Sequence, residues 1–317
     1  MRVQFVHCHG SGNDFPLVDA RGMGVDQESW VLIARALADR RGAVGGDGLL
    51  LLGEGDDQTA FSMVMYNSDG SEAETCLNGL RCVARMGFEA LGLSEARVRL
   101  KTSTAEVSRD PDVAAGVYTV RERAGPASLA VQRWPMLVGL SQVVEAALAP
   151  LPSDRRFTAV AMPNPHLVSF VDAVDEEELV AVGEACEAAP AWLPNRANVS
   201  FVERRRQDRL YVRTFERGVG LTDSCGSAMA ASAYAACLTG RARWGAALTV
   251  LNRGGLVGAV AEEGGMVSLS GNATWEWAGS VEVDLASGTA SDLIVDQRFE
   301  AELAAWAVVK EKAAQAG

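Results

Sequence analysis

Two cysteines of this chain stand where a thiol becomes reactive. Cys76 opens the run Cys76-Leu77-Asn78-Gly79-Leu80-Arg81-Cys82, and Cys225 opens Cys225-Gly226-Ser227-Ala228-Met229. Each follows a strand-like segment and a glycine turn: Tyr66-Asn67-Ser68-Asp69-Gly70 in the first half, Phe215-Glu216-Arg217-Gly218 in the second. Each leads a small-residue, apolar stretch that reads as a helix, to about Leu91 and about Leu238. An acidic and a hydroxyl residue precede each cysteine (Glu74-Thr75, Asp223-Ser224), an amide or hydroxyl stands two residues after it (Asn78, Ser227), and a glycine closes each helix (Gly92, Gly240). A helix start carries unpaired N–H groups and a partial positive charge. It draws a thiol pKa from about 8.5 toward neutrality, and the same N–H groups hold a carboxylate. Two such ends turned to one amino acid present both sulfurs to its Cα. One sulfur, as thiolate, removes the α-proton, and the other, as thiol, returns one on the opposite face. The outcome is inversion at Cα with no metal and no pyridoxal, and the two thiols titrate as a coupled pair.

The remaining candidates are weaker. Cys82, Cys186 and Cys237 lie in apolar helical contexts and Cys8 in a first strand, so all four read as buried, inert thiols. Of the three histidines (His7, His9, His166), His7 and His9 share a face if their segment is a strand. That allows a two-ligand metal site, but core or turn packing is the better reading, and no metal is expected. The six cysteines include no CxxC pair. They are too sparse for a disulfide scaffold, and with no export signal at the N-terminus they point to reduced thiols in the cytoplasm. No apolar stretch is long enough to span a membrane. The net charge of -12, from 29 Lys and Arg against 41 Asp and Glu, argues against sequence-independent binding to nucleic acid or to an anionic membrane. Arg204-Arg205-Arg206 reads as a solvated turn.

The elements that position these residues are mostly short strands. Val3–Val6 and Phe15–Val18 flank a Gly10–Asp14 turn; Leu49–Leu52, Phe61–Tyr66, Arg97–Lys101, Val117–Arg121 and Ala130–Arg133 follow. Thr158–Ala161, Leu167–Val171, Val199–Glu203, Leu210–Phe215, Leu248–Leu251 and Met266–Ser270 make up the second half. Ser29–Ala38 reads as an amphipathic helix capped around Gln27-Glu28-Ser29, and Ser291–Ala316 has helical spacing (Leu293, Ile294, Phe299, Leu303, Trp306, Val309). The two cysteine-helix patterns lie close to half the chain apart, which suggests an internal duplication. We expect a mixed α/β (α+β) chain of two similar domains, each wrapped around a buried central helix.

At these residues the chain resembles the diaminopimelate epimerase family. The resemblance runs from Gly10 to about Gly271. Gly12-Asn13-Asp14-Phe15 resembles the family's GNDF, Gly45-Gly46-Asp47-Gly48-Leu49 its G-x-D-[GQ] loop, and Asn67-Ser68-Asp69-Gly70-Ser71-Glu72 with Cys76–Cys82 its first cysteine signature. Pro163-Asn164-Pro165-His166, Arg196-Ala197-Asn198, Glu216-Arg217-Gly218-Val219-Gly220 and Cys225-Gly226-Ser227 continue the series in order. The resemblance implies two pseudo-symmetric domains, each a curled, mostly antiparallel sheet around a central helix, with the site in the cleft between them. It implies domains of 1–122 with about 272–290, and of 123–271, plus a helical extension at 291–317. It implies a cofactor-free epimerase of LL-2,6-diaminopimelate in lysine and peptidoglycan biosynthesis, usually a homodimer, with a small amino-acid substrate. Cys76 and Cys225 then look like the proton carriers, with His166 and Glu216 assisting. Asn13, Gly48, Asn67, Asn164, Asn198 and Glu216 look like substrate contacts, and Arg217 like the partner of the distal carboxylate. The backbone at Leu77-Asn78 and Gly226-Ser227 looks like the α-carboxylate cradle. Asp47 and Asp69 read as turn or helix caps.

The chain departs from the pattern at Leu77 and Pro163, where glycine is usual, at Ala228, and at Leu221, where many members carry Glu. Leu77 is expected to set a large side chain beside the carboxylate site. The alternatives are a racemase or epimerase of another amino acid on the same fold, and a non-catalytic relative that binds an amino acid.

Overall fold

The computed structural model describes residues 1–73 and 76–315. Glu74 and Thr75, expected before the first cysteine, and Ala316, the expected helix end, lie outside the described residues. The chain divides into two compact units, Met1–Glu122 with Ser270–Val309, and Arg123–Leu269 with Lys310–Gly317.

Unit 1 opens with β1 (Arg2–Gly10), β2 (Asn13–Asp19), α1 (Gln27–Ala38), β3 (Gly48–Asp56), β4 (Thr59–Asn67), α2 (Leu77–Leu91), β5 (Glu95–Arg99), β6 (Thr104–Asp110) and β7 (Thr119–Ala124). Unit 2 carries β8 (Ala146–Ala147), β9 (Arg156–Ala161), β10 (Pro165–Val171), α3 (Glu176–Glu187), β11 (Asn198–Arg206), β12 (Arg209–Glu216), β13 (Gly220–Thr222), α4 (Gly226–Leu238), β14 (Ala247–Asn252) and β15 (Gly255–Ala261). After β16 (Val267–Asn272), unit 1 resumes with β17 (Thr274–Asp284), β18 (Thr289–Arg298) and the first turns of α5 (Glu300–Gln315).

The duplication suggested by the two helix starts is a duplication of topology. In unit 1, β1–β2 is antiparallel, β2–β3 parallel across α1, β3–β4 antiparallel, β4–β5 parallel across α2, and β5–β6 antiparallel. Unit 2 repeats the series: β9–β10 antiparallel, β10–β11 parallel across α3, β11–β12 antiparallel, β12–β14 parallel across α4, and β14–β15 antiparallel. The parallel steps need a crossover, and a helix fills each one.

The sequence explains why each central helix is central. α4 is nearly all small residues, and eleven of its positions, from Gly226 to Cys237, are buried, so it carries no polar face. α2 buries Leu80, Cys82, Val83, Ala84 and Phe88 against β1–β6 of its own unit. Gly87 is required there: a Cβ would lie 2.6 Å from the Phe61 ring. α1 starts on Asp26, whose carboxylate accepts the Ser29 N–H at 2.8 Å, one position before the expected cap.

Four readings of the sequence are corrected. Ala130–Arg133 is not a strand; Val131–Arg133 forms a 3-10 turn, closed by the Trp134 N–H on the Val131 carbonyl, and Pro135 cannot extend a ladder. Ser291–Ala316 is not one helix: Leu293 and Ile294 lie in β18, paired antiparallel with β17, and the helix begins only after Phe299. The expected Gly10–Asp14 turn shrinks to Ser11-Gly12, because β1 runs on through His7-Cys8-His9-Gly10 and β2 begins at Asn13. Arg204-Arg205-Arg206 is not a turn: the three residues end β11, and the hairpin turn falls on Gln207-Asp208.

The first turns of α5 are docked on unit 1. Arg85 of α2 is clasped by Glu302 through two bonds of 2.5 and 2.8 Å and lies over the Tyr118 and Trp275 rings. Trp306 is buried and its ring lies 5.7 Å from that of His9.

Candidate active site

In unit 1 the expected site residues gather at one end of the sheet. Gly48, at the start of β3, is the register partner of Asn67, at the end of β4. A Cβ on Gly48 would meet the Tyr66 carbonyl at 2.2 Å, so only glycine allows this approach. The chain after Asn67 turns through Asp69, whose carboxylate accepts the Ser71 N–H at 2.8 Å, which makes Asp69 a turn former as expected. Cys76 is the N-cap of α2, and its sulfur accepts the Gly79 N–H at 3.4 Å. The same sulfur faces the Asn13 carbonyl oxygen at 3.6 Å. Leu77 is half-buried, with its side chain packed against the unit 1 core.

Behind Cys76 lies a buried cluster that the motifs did not assign. The fully buried Arg81 donates to the Asn78 side chain at 2.9 Å, to Ser11 Oγ at 3.1 Å, to the Asn272 carbonyl at 3.1 Å and to the Glu122 carboxylate at 2.7 Å. One guanidinium therefore ties the first turn of α2 to the turn that carries Asn13. Burial pushes the Glu122 carboxyl above its ordinary range, with Arg81 pulling against it. The only sequence signal was the i, i+3 spacing of Asn78 and Arg81.

In unit 2 the corresponding end of the sheet carries the corresponding residues. Asn198 begins β11; its Oδ1 accepts the Arg217 N–H at 2.8 Å, and its Nδ2 donates to the Pro165 carbonyl at 3.3 Å. Glu216 ends β12 opposite Gly220. Arg217 is half-exposed and donates to the Asn195 carbonyl at 3.0 Å; none of the ion pairs among the described residues involves it. His166 is fully buried and its Nε2 lies 3.0 Å from Asn164 Oδ1. Burial, with the Arg217 charge nearby, pushes its pKa down to about 3, so it is neutral at physiological pH. Nε2 then carries the proton toward Asn164, and Nδ1 is the free acceptor, buried without a partner. Cys225 is the N-cap of α4, with its sulfur 3.5 Å from Ser227 Oγ.

The other thiols behave as read. Cys8, Cys82, Cys186 and Cys237 are buried and unbridged. Burial pushes the Cys186 thiol up to about 12 and Cys237 to about 11, so both stay protonated.

His7 belongs to a separate polar cluster with Asp14 and Glu276. Its Nδ1 lies 2.5 Å from Glu276 and its Nε2 3.0 Å from the Gly45 carbonyl, so the ring is spanned between two acceptors. His9 instead meets the Gly12 N–H and the Asn272 side chain. Burial lowers the His7 pKa, but the Glu276 carboxylate, the Gly45 carbonyl and Asp14 together carry it above its ordinary value. A raised histidine stabilises the fold fully below about pH 6.5 and progressively less as pH rises through the folded value. Glu276 is also pulled down by His7, so its share is lost as pH falls through its lowered pKa. Glu276→Gln is therefore expected to cost about 2 kcal/mol near pH 6 and much less near pH 9; urea unfolding of both proteins at the two pH values measures the difference.

Two units of one topology, each opening its buried central helix on a cysteine, define a duplicated α/β fold that other solved structures share. A phenazine biosynthesis protein of the PhzF family from Bacillus anthracis superposes with a TM-score of 0.63 at 14% identity, over 89% of this chain and 100% of that one. A hydroxyproline epimerase from Agrobacterium vitis gives 0.59 at 12% identity, over 98% of both. The sequence then places the chain more narrowly: the family model for diaminopimelate epimerase matches residues 5–128 and 158–276. The diaminopimelate epimerase of Clostridium acetobutylicum is 35% identical over 90% of this chain and 87% of its own. That of Enterococcus faecalis is 36% identical over 86% and 87%. The chain belongs to the diaminopimelate epimerase family.

Proposed function

We propose that this chain interconverts LL- and meso-2,6-diaminopimelate with Cys76 and Cys225 as the two proton carriers. The observation that carries the reading is the cysteine at the N-cap of the buried central helix in each of two topologically repeated units, in a chain of this family. Family membership makes it an amino-acid epimerase. One sulfur as thiolate takes the α-proton and the other as thiol delivers one to the opposite face of the carbon, so the roles exchange with each turnover. The helix starts, at Leu77 and Asn78 in α2 and at Gly226 and Ser227 in α4, suit the α-carboxylate and stabilise the negative charge that develops as the α-proton leaves. Asn13, Asn67, Asn164 and Asn198 suit the amino and carboxylate groups. His166, as neutral imidazole, and Glu216 assist transfer at the unit 2 cysteine. We read the working enzyme as a cytoplasmic homodimer.

Arg217 decides the substrate class. Asn198 holds the Arg217 backbone N–H and the Asn195 carbonyl takes one guanidinium N–H, which keeps the remaining guanidinium N–H groups for a second carboxylate. A dicarboxylic diamino acid supplies one; proline and histidine do not. Arg217→Met is expected to lower kcat/KM for LL-diaminopimelate about a hundredfold, the scale of a lost charged hydrogen-bond pair. Chiral separation of LL- and meso-diaminopimelate, proline and histidine after incubation with each protein tests this. Conversion of a monocarboxylate in preference to the diacid by the unmodified enzyme overturns it.

A further inference from the structure

Asn13 meets Cys76 with a group that has two chemically opposite ends. Its carbonyl oxygen is turned to the sulfur at 3.6 Å, and its amide nitrogen donates to the Asp47 carboxylate. A carbonyl oxygen accepts a proton from a thiol and repels a thiolate; an amide N–H does the reverse. Which end faces Cys76 therefore bears directly on where its proton rests.

The environment of Asp47 makes one orientation permanent. Asp47 is acceptor-only when ionised, so it takes the N–H end of Asn13 and leaves the carbonyl end for Cys76. The carboxylate is itself held. Arg40 Nη2 donates to Asp47 Oδ1 at 2.6 Å, and the Arg40 guanidinium is clasped by Asp14 at 2.8 and 2.5 Å. The Asp47 N–H donates to the Asp14 carbonyl at 2.8 Å, and the Asp14 N–H returns to the Asp47 carboxylate at 3.3 Å. The loop is also packed too tightly to shift: a Cβ on Gly46 would lie 2.7 Å from the Pro16 ring.

We propose that Asp47, clamped by Arg40, is a positioning residue that locks the Asn13 amide with its carbonyl toward Cys76 and so favours the protonated form of that sulfur in the free enzyme. This deepens the two-thiol reading, which needs the two sulfurs in opposite protonation states, by tilting the resting proton toward Cys76 against the Gly79 N–H, which favours the thiolate. The lock itself is tested without substrate, so its failure and the failure of that reading are distinguishable.

The test is the rate of iodoacetamide alkylation at Cys76, followed by peptide mass spectrometry at about pH 7.5, with Cys225 in the same sample as the internal standard. Asp47→Ala frees the amide to turn its N–H to the sulfur, and Cys76 alkylation is expected to rise about tenfold, one pKa unit, the scale of one hydrogen bond exchanged for another. Loss of a nearby negative charge would act in the same direction, so two more variants separate the causes. Asp47→Asn removes the charge but keeps an acceptor for the Asn13 N–H; the lock predicts a rate within about twofold of the unmodified protein. Arg40→Ala removes a positive charge, which by charge alone slows alkylation; release of Asp47 from its clamp instead speeds it, by about threefold. Both side chains are about half exposed, so these variants keep the core intact. A slower Arg40→Ala, an Asp47→Asn as fast as Asp47→Ala, an unchanged Asp47→Ala, or an equal rise at Cys225 overturns the proposal.

Discussion

Cys76→Ala and Cys225→Ala are each expected to lower kcat/KM for diaminopimelate epimerisation by about a thousandfold or more, in both directions, within the range that positioned acids and bases contribute. In the proposed reaction each sulfur is the base in one direction and the acid in the other, so no single replacement spares one direction. The diagnostic is the double variant. Groups that act as one unit are not additive, so Cys76→Ala/Cys225→Ala is expected to be no slower than the worse single variant. The loss does not come through the fold: Cys225 caps α4 without a side-chain cap bond, and the Cys76 sulfur accepts the Gly79 N–H. Replacing that cap is expected to cost about 1 kcal/mol. Steady-state assays with both isomers check the rates, and urea unfolding checks the stability. Additive losses in the double variant contradict paired action of the two thiols.

Arg81→Ala is expected to destabilise the protein by about 3–5 kcal/mol, the cost of breaking a buried ion pair from one side. Arg81 and Glu122 are both fully buried, and one Glu122 oxygen already has no hydrogen-bond partner. Removing the guanidinium strands the other oxygen and takes a donor from the Asn78 amide and the Asn272 carbonyl. It also releases the Ser11 turn from the α2 start, so activity should fall even at temperatures where the variant is folded. The double variant Arg81→Met/Glu122→Leu is expected to recover stability but not activity, because two apolar groups replace the pair while the tie to Asn78 and Ser11 stays broken. Chemical denaturation and kcat/KM on the three proteins separate the two effects. An Arg81→Ala variant with unchanged unfolding midpoint contradicts this account.

The parts of the fold that were legible in the sequence are those with strong local punctuation. Cys76 and Cys225 were readable as helix starts because a glycine turn, a polar residue and a small-residue helix follow one another in each half. The α2 end at Gly92 was readable because a residue at φ 68° belongs to glycine. α3 was missed although Asp175 caps it and Glu176, Glu177 and Glu178 suit the helix dipole; its buried positions, Leu179, Val182, Gly183 and Cys186, are too weakly apolar to mark a stripe. Leu293 and Ile294 fit a helical period as well as a strand, and only pairing with β17, a long-range fact, decides between them. The chemical groups of the site were named by type and order. What held them was not: Asp47 read as a cap because its value lies in Asn13, far away in sequence, and Arg81 reaches Glu122 and Asn272 only once the sheet is built. That the Leu77 side chain also reaches the unit 1 core was hidden for the same reason, since that core is assembled from distant strands.

The central claim, one carbon served by two thiols from opposite faces, is tested most directly by the fate of the α-hydrogen in D2O. LL-diaminopimelate is converted by reduced enzyme and followed by proton NMR and mass spectrometry over the first few per cent of reaction, with Cys225→Ala as the control. Two carriers predict meso product bearing deuterium at the inverted carbon while unreacted LL substrate keeps its proton, and neither change in the control. Deuterium entering recovered LL substrate ahead of meso formation, or proton retained in the first product, would mean that a single base handles both faces and would contradict the account.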